Sequence, residues 1–253
     1  MDANLHTTSL AADFASPQPL YKEVKLRLTS ALMAKEWRPG SALPSESRLA
    51  VRFQVSLGTV RKAIDELVAE KVLVRRQGRG TFIAPHTPDR TLFYFFHISG
   101  KDGRKENPTT ELLSFVRGRA EAELAGRLQI ARGERIVRIR NLLRLSAQPV
   151  LIDDIVVSMK TFPDLDEANF SGRAGTIYGL YQEHYGINVI RITERLSATS
   201  AERDCAQLLA VSTGAPLLRI ERIAYTYNDS PVELRQSLVN TAGHVYLSDL
   251  VKT

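Results

Sequence analysis

A single cysteine, Cys205, stands in 253 residues, so no intramolecular disulfide is available and one sulfur cannot build a thiolate cage for a metal. Long apolar runs are also missing, since no stretch reaches the roughly 18 residues that a membrane-spanning helix needs. The first 30 residues lack the basic, apolar and small-residue order of a secretion signal. A cytoplasmic location, with no membrane among the partners, is the expectation. No Ser/His/Asp or Cys/His arrangement can be located, and no general acid and base pair stands out. His184 and Cys205 have no metal-ligand pattern around them. No catalytic residue, metal or cofactor is therefore assigned.

What the chain does have is an uneven distribution of charge. The whole carries 34 basic against 28 acidic residues, a formal net charge of +6. Residues 18 to 85 hold 13 Lys and Arg against 6 Asp and Glu, while the remainder holds 21 against 22. All of the excess sits in the first third, which points to an anionic partner for that part alone.

Residues 1–17 read as a loose polar arm. From Leu20, "LYKEVKLRLTSALMAKEW" places Tyr21, Val24, Leu28 and Ala31/Leu32 at helical spacing. "RPGSALP" stops that helix, and Ser45 follows Pro44 as the cap of a short helix over about 46 to 53. Ser56 is the expected cap of a third helix over about 57 to 69, burying Val60, Ala63, Ile64 and Leu67. Two strands, roughly 72 to 76 and 80 to 84, then meet at a tip with Arg75, Arg76, Gln77, Gly78 and Arg79. Two short helices followed by a hairpin with a cationic tip are the parts of a winged helix-turn-helix over residues 18–84. A purely structural turn is the alternative for the hairpin taken alone.

On the third helix the apolar stripe leaves Thr59, Arg61, Lys62, Asp65 and Glu66 on or beside the outer face. Basic residues in its first turns oppose the helix dipole, and the pairs Arg61 with Asp65 and Lys62 with Glu66 are expected to offset this partly. Double-stranded DNA rewards positive charge at that end. The expected DNA-binding set is Ser45, Ser56, Thr59, Arg61, Lys62, Arg76, Gln77, Gly78 and Arg79, with Arg61 nearest to base edges and Gln77 at the minor groove. No aromatic platform of the kind that binds single-stranded RNA accompanies these residues.

"APHTPDR" breaks all periodicity and reads as a linker, residues 85–91. Beyond it, in residues 92–253, strand-like runs occur at "TLFYFFHI", "RIVRIRNLLRL", "VLIDDIVVS", "INVIRITERLSA", "PLLRIERIAYTY" and "PVELRQSLVN". Helical patterns fall near 110 to 127, 175 to 184 and 200 to 210, the last with Thr199 as N-cap and Glu202 completing a capping box. The expected fold class is α+β in two domains, a winged helix-turn-helix followed by an antiparallel sheet with packed helices.

Residues 20 to 84 resemble the DNA-binding domain of GntR-type bacterial transcription regulators, through "PGSALPSE", "LAVRF", "VS" before "TVRKAIDEL", and "RRQGRGTF" in order. The rest is similar to the ligand-sensing UTRA domain of the HutC-like branch, which shares its fold with chorismate lyase. "QPVLIDD" and "GTIYGLYQEHYGINVIRITERLSATSAERDCAQLLAVSTGAPLLRIERIAYTYNDSPVE" carry that likeness. It implies a homodimer on a pseudo-palindromic operator, switched by a small polar metabolite. The alternatives are a DNA-binding protein whose second domain only dimerises, or a lyase-like enzyme, although fold alone does not transmit chemistry.

Departures from the pattern stand at Ser47 and Leu57, where the family commonly has arginine. Asn141 and Leu143 occupy the positions of an arginine pair that sugar-phosphate sensors of this branch tend to carry, so a phosphate would lose its bidentate partners. Val239 and Asn240 replace the usual tyrosine and arginine of the closing motif. The resemblance places Asp153, Thr176, Tyr178 and Glu233 in the ligand site, with Asn141 and with Arg140 as a source of charge from a strand that also bears Arg138 and Arg144. Asp153 could equally cap a turn, Glu233 could pair with Arg235 or Arg222, and Tyr178 could be core. Phe93, Phe95, Phe96 and His97 either line a cavity or pack on a helix.

Overall fold

The computed structural model describes residues 19–87 and 94–248. Helix α1, Leu20–Met33, buries Val24, Leu28, Ala31 and Leu32, the stripe its periodicity requires. It ends earlier than the pattern suggests, because Lys35 takes a positive φ of 56°. Helices α2, Glu46–Phe53, and α3, Leu57–Ala69, follow. Gln54 at φ 55° turns the chain between them. Strands β1, Leu73–Arg76, and β2, Gly80–Ile83, form an antiparallel hairpin, and Ala42 adds an isolated bridge to Phe82. Leu49, Val60, Ala63 and Leu67 are fully buried in the common core. Each of the Leu and Val side chains among them contributes about 1.5–3 kcal/mol.

The second region is built on a six-stranded antiparallel sheet in the order β4-β5-β6-β9-β8-β7. Its strands are β4, Thr109–Arg119, β5, Arg135–Leu145, β6, Gln148–Ser158, β7, Arg191–Ser200, β8, Pro216–Tyr225, and β9, Pro231–Val239. A separate pair joins β3, Ile98–Gly100, to β10, His244–Tyr246. Helices α4, Ala122–Leu128, α5, Glu167–Ser171, α6, Ile177–Tyr185, and α7, Arg203–Leu208, pack on the sheet. One face carries Val137, Ile139, Ile155 and Val157 against Phe162, Phe170, Tyr178 and Tyr181. On the opposite face Leu142 and Ile152 meet Cys205 and Ala206 of α7, and Ile136 and Val156 meet Ala125 and Leu128 of α4.

Three expectations need correction. The helix expected near 110 to 127 is β4 over most of that length, and α4 is only its tail. A register shift between Leu112 and Ser114 explains the misreading. The bulge lets Leu112 and Phe115, three apart, pack into one core while Leu113 packs into the other, which imitates helical spacing on a strand. Thr199 does not cap the helix over 200 to 210. It is the penultimate residue of β7 and accepts a hydrogen bond from Arg219, and Glu202 is the N-cap of the shorter α7. Of the strand expected over "TLFYFFHI", only Ile98 begins β3, and residues 91 to 93, with Phe93, lie outside the described residues.

Replacing the fully buried Phe162 with alanine is expected to cost about 3–5 kcal/mol. Val116→Ala, on the exposed side of β4, should cost within about 0.5 kcal/mol. Urea unfolding of both variants checks the pair.

Candidate nucleic-acid interface and ligand cavity

Ser45 and Ser56 both act as caps. Ser45 Oγ accepts from the Arg48 amide at 3.3 Å, and Ser56 Oγ accepts from the Thr59 amide at 3.1 Å. Ser56 Oγ also lies 2.8 Å from Thr59 Oγ1, so these hydroxyls fix the first turn of α3 as well as facing solvent beside it. The expected i,i+4 pairs along α3 do not form. Arg61 Nε instead donates to Glu46 of α2 at 3.0 Å, Asp65 takes Arg75 from the wing at 2.6 Å, and Glu66 takes Lys25 from α1 at 2.9 Å. Partners on neighbouring elements displace the basic-before-acidic pairs, which are the weaker order within a helix. Lys62 Nζ sits 4.2 Å from the centre of the Tyr21 ring.

Along the wing, Arg76 stacks on Phe82 with its guanidinium carbon 4.5 Å from the ring centre. Gly78, at φ 68°, makes the turn that leaves Gln77 and Arg79 exposed at the tip. A cleft brings Ser45, Arg76, Gln77, Gly78 and Arg79 together between the start of α2 and the hairpin. Arg61, with its side chain 57% exposed, flanks the same surface through Glu46. Pattern reading places Arg75 at the cationic tip but misses Glu46 and the ion pair at 3.5 Å between the two, which ties α2 to the wing. Spacing along one helix gives no sign of it.

The second site is a cavity of about 360 Å³ between α6 and the sheet. Phe95, Phe96, Leu143, Ile177 and Tyr178 form its apolar wall, and Arg173, Arg222 and Arg235 its basic one. Thr176 lines it while capping α6, its Oγ1 accepting from the Gly179 amide at 3.0 Å. Asp153 and Glu233 lie one layer behind. Arg235 donates to Asp153 Oδ2 at 3.0 Å and to Glu233 Oε1 at 3.0 Å. Tyr178 and Tyr181 donate their hydroxyls to Glu233 at 3.2 and 2.8 Å, and Ser237 donates to Asp153. Burial, and then the Glu233 carboxylate, push the Tyr178 phenol up to about 12. Burial alone would lower Arg235, but Glu233 and Asp153 outweigh it and hold the guanidinium charged.

Asn141 faces Asp153 across the ladder, fully buried, with neither amide atom partnered. Arg140 is on the wrong face. Alternation along β5 turns it toward α7, 3.5 Å from Cys205 Sγ and 3.4 Å from Asp154, so it lies on the opposite side of the sheet from Tyr178 and Glu233. Arg173, absent from the residue-level expectation, takes a place on the wall, where burial lowers its pKa, Tyr181 opposes the shift and Arg235 adds to it. Glu194 is a further addition: it binds Arg222 at 2.7 Å, His97 at 3.0 Å, and the Tyr246 hydroxyl. Burial pushes its carboxyl up, but the His97 hydrogen bond and Arg222 prevail and bring it down to about 2.

Helix α6 joins this cavity to the first region. Its N-terminal turn is cavity wall. In its middle, Gln182 donates to the Ala84 carbonyl at 3.0 Å and accepts from the His86 amide at 2.9 Å. The His86 ring packs 5.5 Å from Phe95 and 6.0 Å from Tyr178, centre to centre. At the far end, the His184 carbonyl accepts from Lys35. A Cβ on Gly186, which holds φ 71°, would come within 3.0 Å of the Met33 carbonyl. Asn188 then donates to the Tyr227 hydroxyl at 3.1 Å, and Tyr227 is part of the core of α1, α2 and α3. Among the described residues no group of three His, Cys, Asp or Glu could hold a metal ion, and no helix is long and apolar enough to cross a membrane.

A winged helix-turn-helix with an arginine-rich tip, tied by one helix to a sheet that lines a cavity, defines a DNA-binding regulator with a ligand-sensing domain. Residues 20–83 match the family model described as bacterial regulatory proteins, gntR family, and residues 103–242 match that of the UTRA domain. The chain belongs to the GntR family, in the HutC-like branch that carries a UTRA domain, a family of regulators and not of enzymes. A Shigella flexneri protein named "Probable fructoselysine utilization operon transcriptional repressor" is 31% identical over 232 residues, covering 89% of this chain and 92% of that one. The HTH-type transcriptional repressor NagR of Bacillus subtilis (strain 168) is 27% identical over 224 residues, 88% and 91% of the two chains. A GntR-family ligand-binding domain from Bordetella bronchiseptica superposes with a TM-score of 0.58 at 32% identity, covering 61% of this chain and 96% of that one.

Because the Glu194 pKa is lowered from its ordinary 4.5 to about 2, its stabilising contribution is present above pH 4.5 and lost as pH falls toward 2. Wild type should therefore exceed Glu194→Gln in stability at neutral pH, with the gap closing through that acid window. Denaturant titrations at stepped pH measure it.

Proposed function

We propose that the protein is a metabolite-responsive repressor that binds a pseudo-palindromic operator in double-stranded DNA as a homodimer. Residues 18–84 dock on the duplex, 85–91 link, and 92–253 bind the effector and join the two copies; the arm expected over 1–17 lies outside the described residues. The start of α3 enters the major groove, Arg61 contacts base edges, and the wing residues Arg76, Gln77 and Arg79 meet phosphate or the minor groove. The family and its repressor-named relatives support this reading.

The observation that carries responsiveness is α6, which is at once cavity wall, anchor of residues 84 to 86, and neighbour of α1. A domain that served only to dimerise would have no need of such a joint. Ligand can change operator affinity only by favouring one arrangement of the recognition helices. Couplings of about 1–3 kcal/mol, or 5- to 150-fold, are usual. The fructoselysine in the relatives' name belongs to those proteins; for this chain the effector is a small metabolite.

Arg61→Ala should cost roughly 1–3 kcal/mol on a selected duplex and much less on a scrambled one. Arg79→Ala should weaken both alike. Titrations of each variant on both duplexes at fixed salt check the assignment, and equal losses from Arg61→Ala on both would refute it.

A further inference from the structure

Among the described residues three guanidinium groups reach the cavity, and two are already compensated. Arg222 donates to Glu194 through Nε at 2.8 Å and Nη2 at 2.7 Å, and to the Phe95 carbonyl at 2.6 Å. Arg235 is held by both oxygens of Glu233 and by Asp153. Arg173 differs. Its Nη1 donates to the Phe170 carbonyl, its guanidinium carbon lies 4.5 Å from the Phe170 ring centre, and its buried Nε has no partner. No carboxylate among the described residues is paired with it.

Among the described residues no acidic side chain lines the cavity, so none of them offers a seat for a ligand cation. Most of the remaining wall is apolar: Phe95, Phe96, Pro108, Leu143, Ile177 and Tyr178. Asn107 and Thr110 add neutral hydrogen-bonding groups. At about 360 Å³ the space is near the lower end of the roughly 300–1,000 Å³ typical of ligand sites.

We infer that this cavity takes a small carboxylate with a compact apolar body, and that Arg173 is the residue that holds the carboxylate. The inference rests on the sensing role of the second domain. A lone cation suits a single negative charge. A phosphate dianion would need a second free guanidinium, yet Arg222 and Arg235 are committed to Glu194, Asp153 and Glu233, and a dianion beside them would face those carboxylates. Leu143, on the wall, and Asn141, behind it, supply no charge. The desolvation and the Arg235 repulsion that lower the Arg173 pKa would both be offset by a bound anion. The walls also modify the expectation of a polar effector, since Phe95, Phe96, Pro108, Leu143, Ile177 and Tyr178 give the cavity a largely apolar lining.

Hydrocinnamate, hydrocinnamyl alcohol and phenethyl phosphate share one body and differ in the terminal group. Their affinities for the full-length protein, for Arg173→Gln and for Arg173→Lys can be measured by calorimetry at millimolar concentration. Wild type should prefer the carboxylate to the alcohol by about tenfold or more, the worth of a charged hydrogen bond. Arg173→Gln should erase that preference, and Arg173→Lys should keep part of it. A merely structural role for Arg173 would weaken the alcohol and the carboxylate alike, which would overturn the inference. So would tighter binding of the phosphate, a preference that survives Arg173→Gln, or no binding of any of the three. Affinity for a DNA duplex selected from random sequence, measured with and without saturating hydrocinnamate, separates the two readings. Arg173-dependent binding that leaves DNA affinity unchanged would support the ligand class while contradicting the sensor.

Discussion

The structure depends on one buried charge, the guanidinium of Arg235, held between Asp153 and Glu233. Taking three ionised groups out of water is costly, and the cost is offset only when every donor and acceptor is matched. Here the match recruits α6, because Glu233 is completed by the hydroxyls of Tyr178 and Tyr181. The cluster therefore does more than join β6 to β9. It sets the position of α6 on the sheet, and with it the cavity floor, since Tyr178 is part of the wall.

From α6 the constraint passes to the DNA-binding region over a short distance. Gln182 bonds the backbone on both sides of residue 85, and the closeness of Gly186 to Met33 leaves no room for a side chain. Packed interfaces of this kind shift between discrete arrangements instead of bending continuously. A ligand that fills the cavity lined by Tyr178, Phe95 and Phe96 touches the element that positions the linker. His86, against both Phe95 and Tyr178, stands where the cavity wall and the linker become one packed unit.

Much of this was legible in the residues. The winged helix-turn-helix announced itself by caps at Ser45 and Ser56 and by a glycine-bearing cationic tip, all local signals. Strand alternation gave the sheet, and failed where the bulge at Leu113 placed Leu112 and Phe115 on one side. The ligand site was less legible. Tyr178 and Thr176 belong to the wall and Glu233 to its support, but the strand alternation that brings Arg235 inward sends Arg140 outward, and only the pairing register fixes which. Arg173 sits in a loop with no periodicity, and its interest lies in what it does not touch, a property that no spacing encodes. The ion pairs of α3 went to other elements for the same reason: long-range partners outcompeted the local ones.

The central claim, that α6 carries the state of the cavity to the DNA-binding region, can be read from the single tryptophan. Trp37 lies in the cleft that Gln182, Glu183 and Gly186 share with the first region, and no tryptophan lines the ligand cavity. Trp37 emission should change on titration with a ligand of the cavity, with a midpoint equal to that ligand's dissociation constant. Emission that stays constant while the cavity fills would contradict the account.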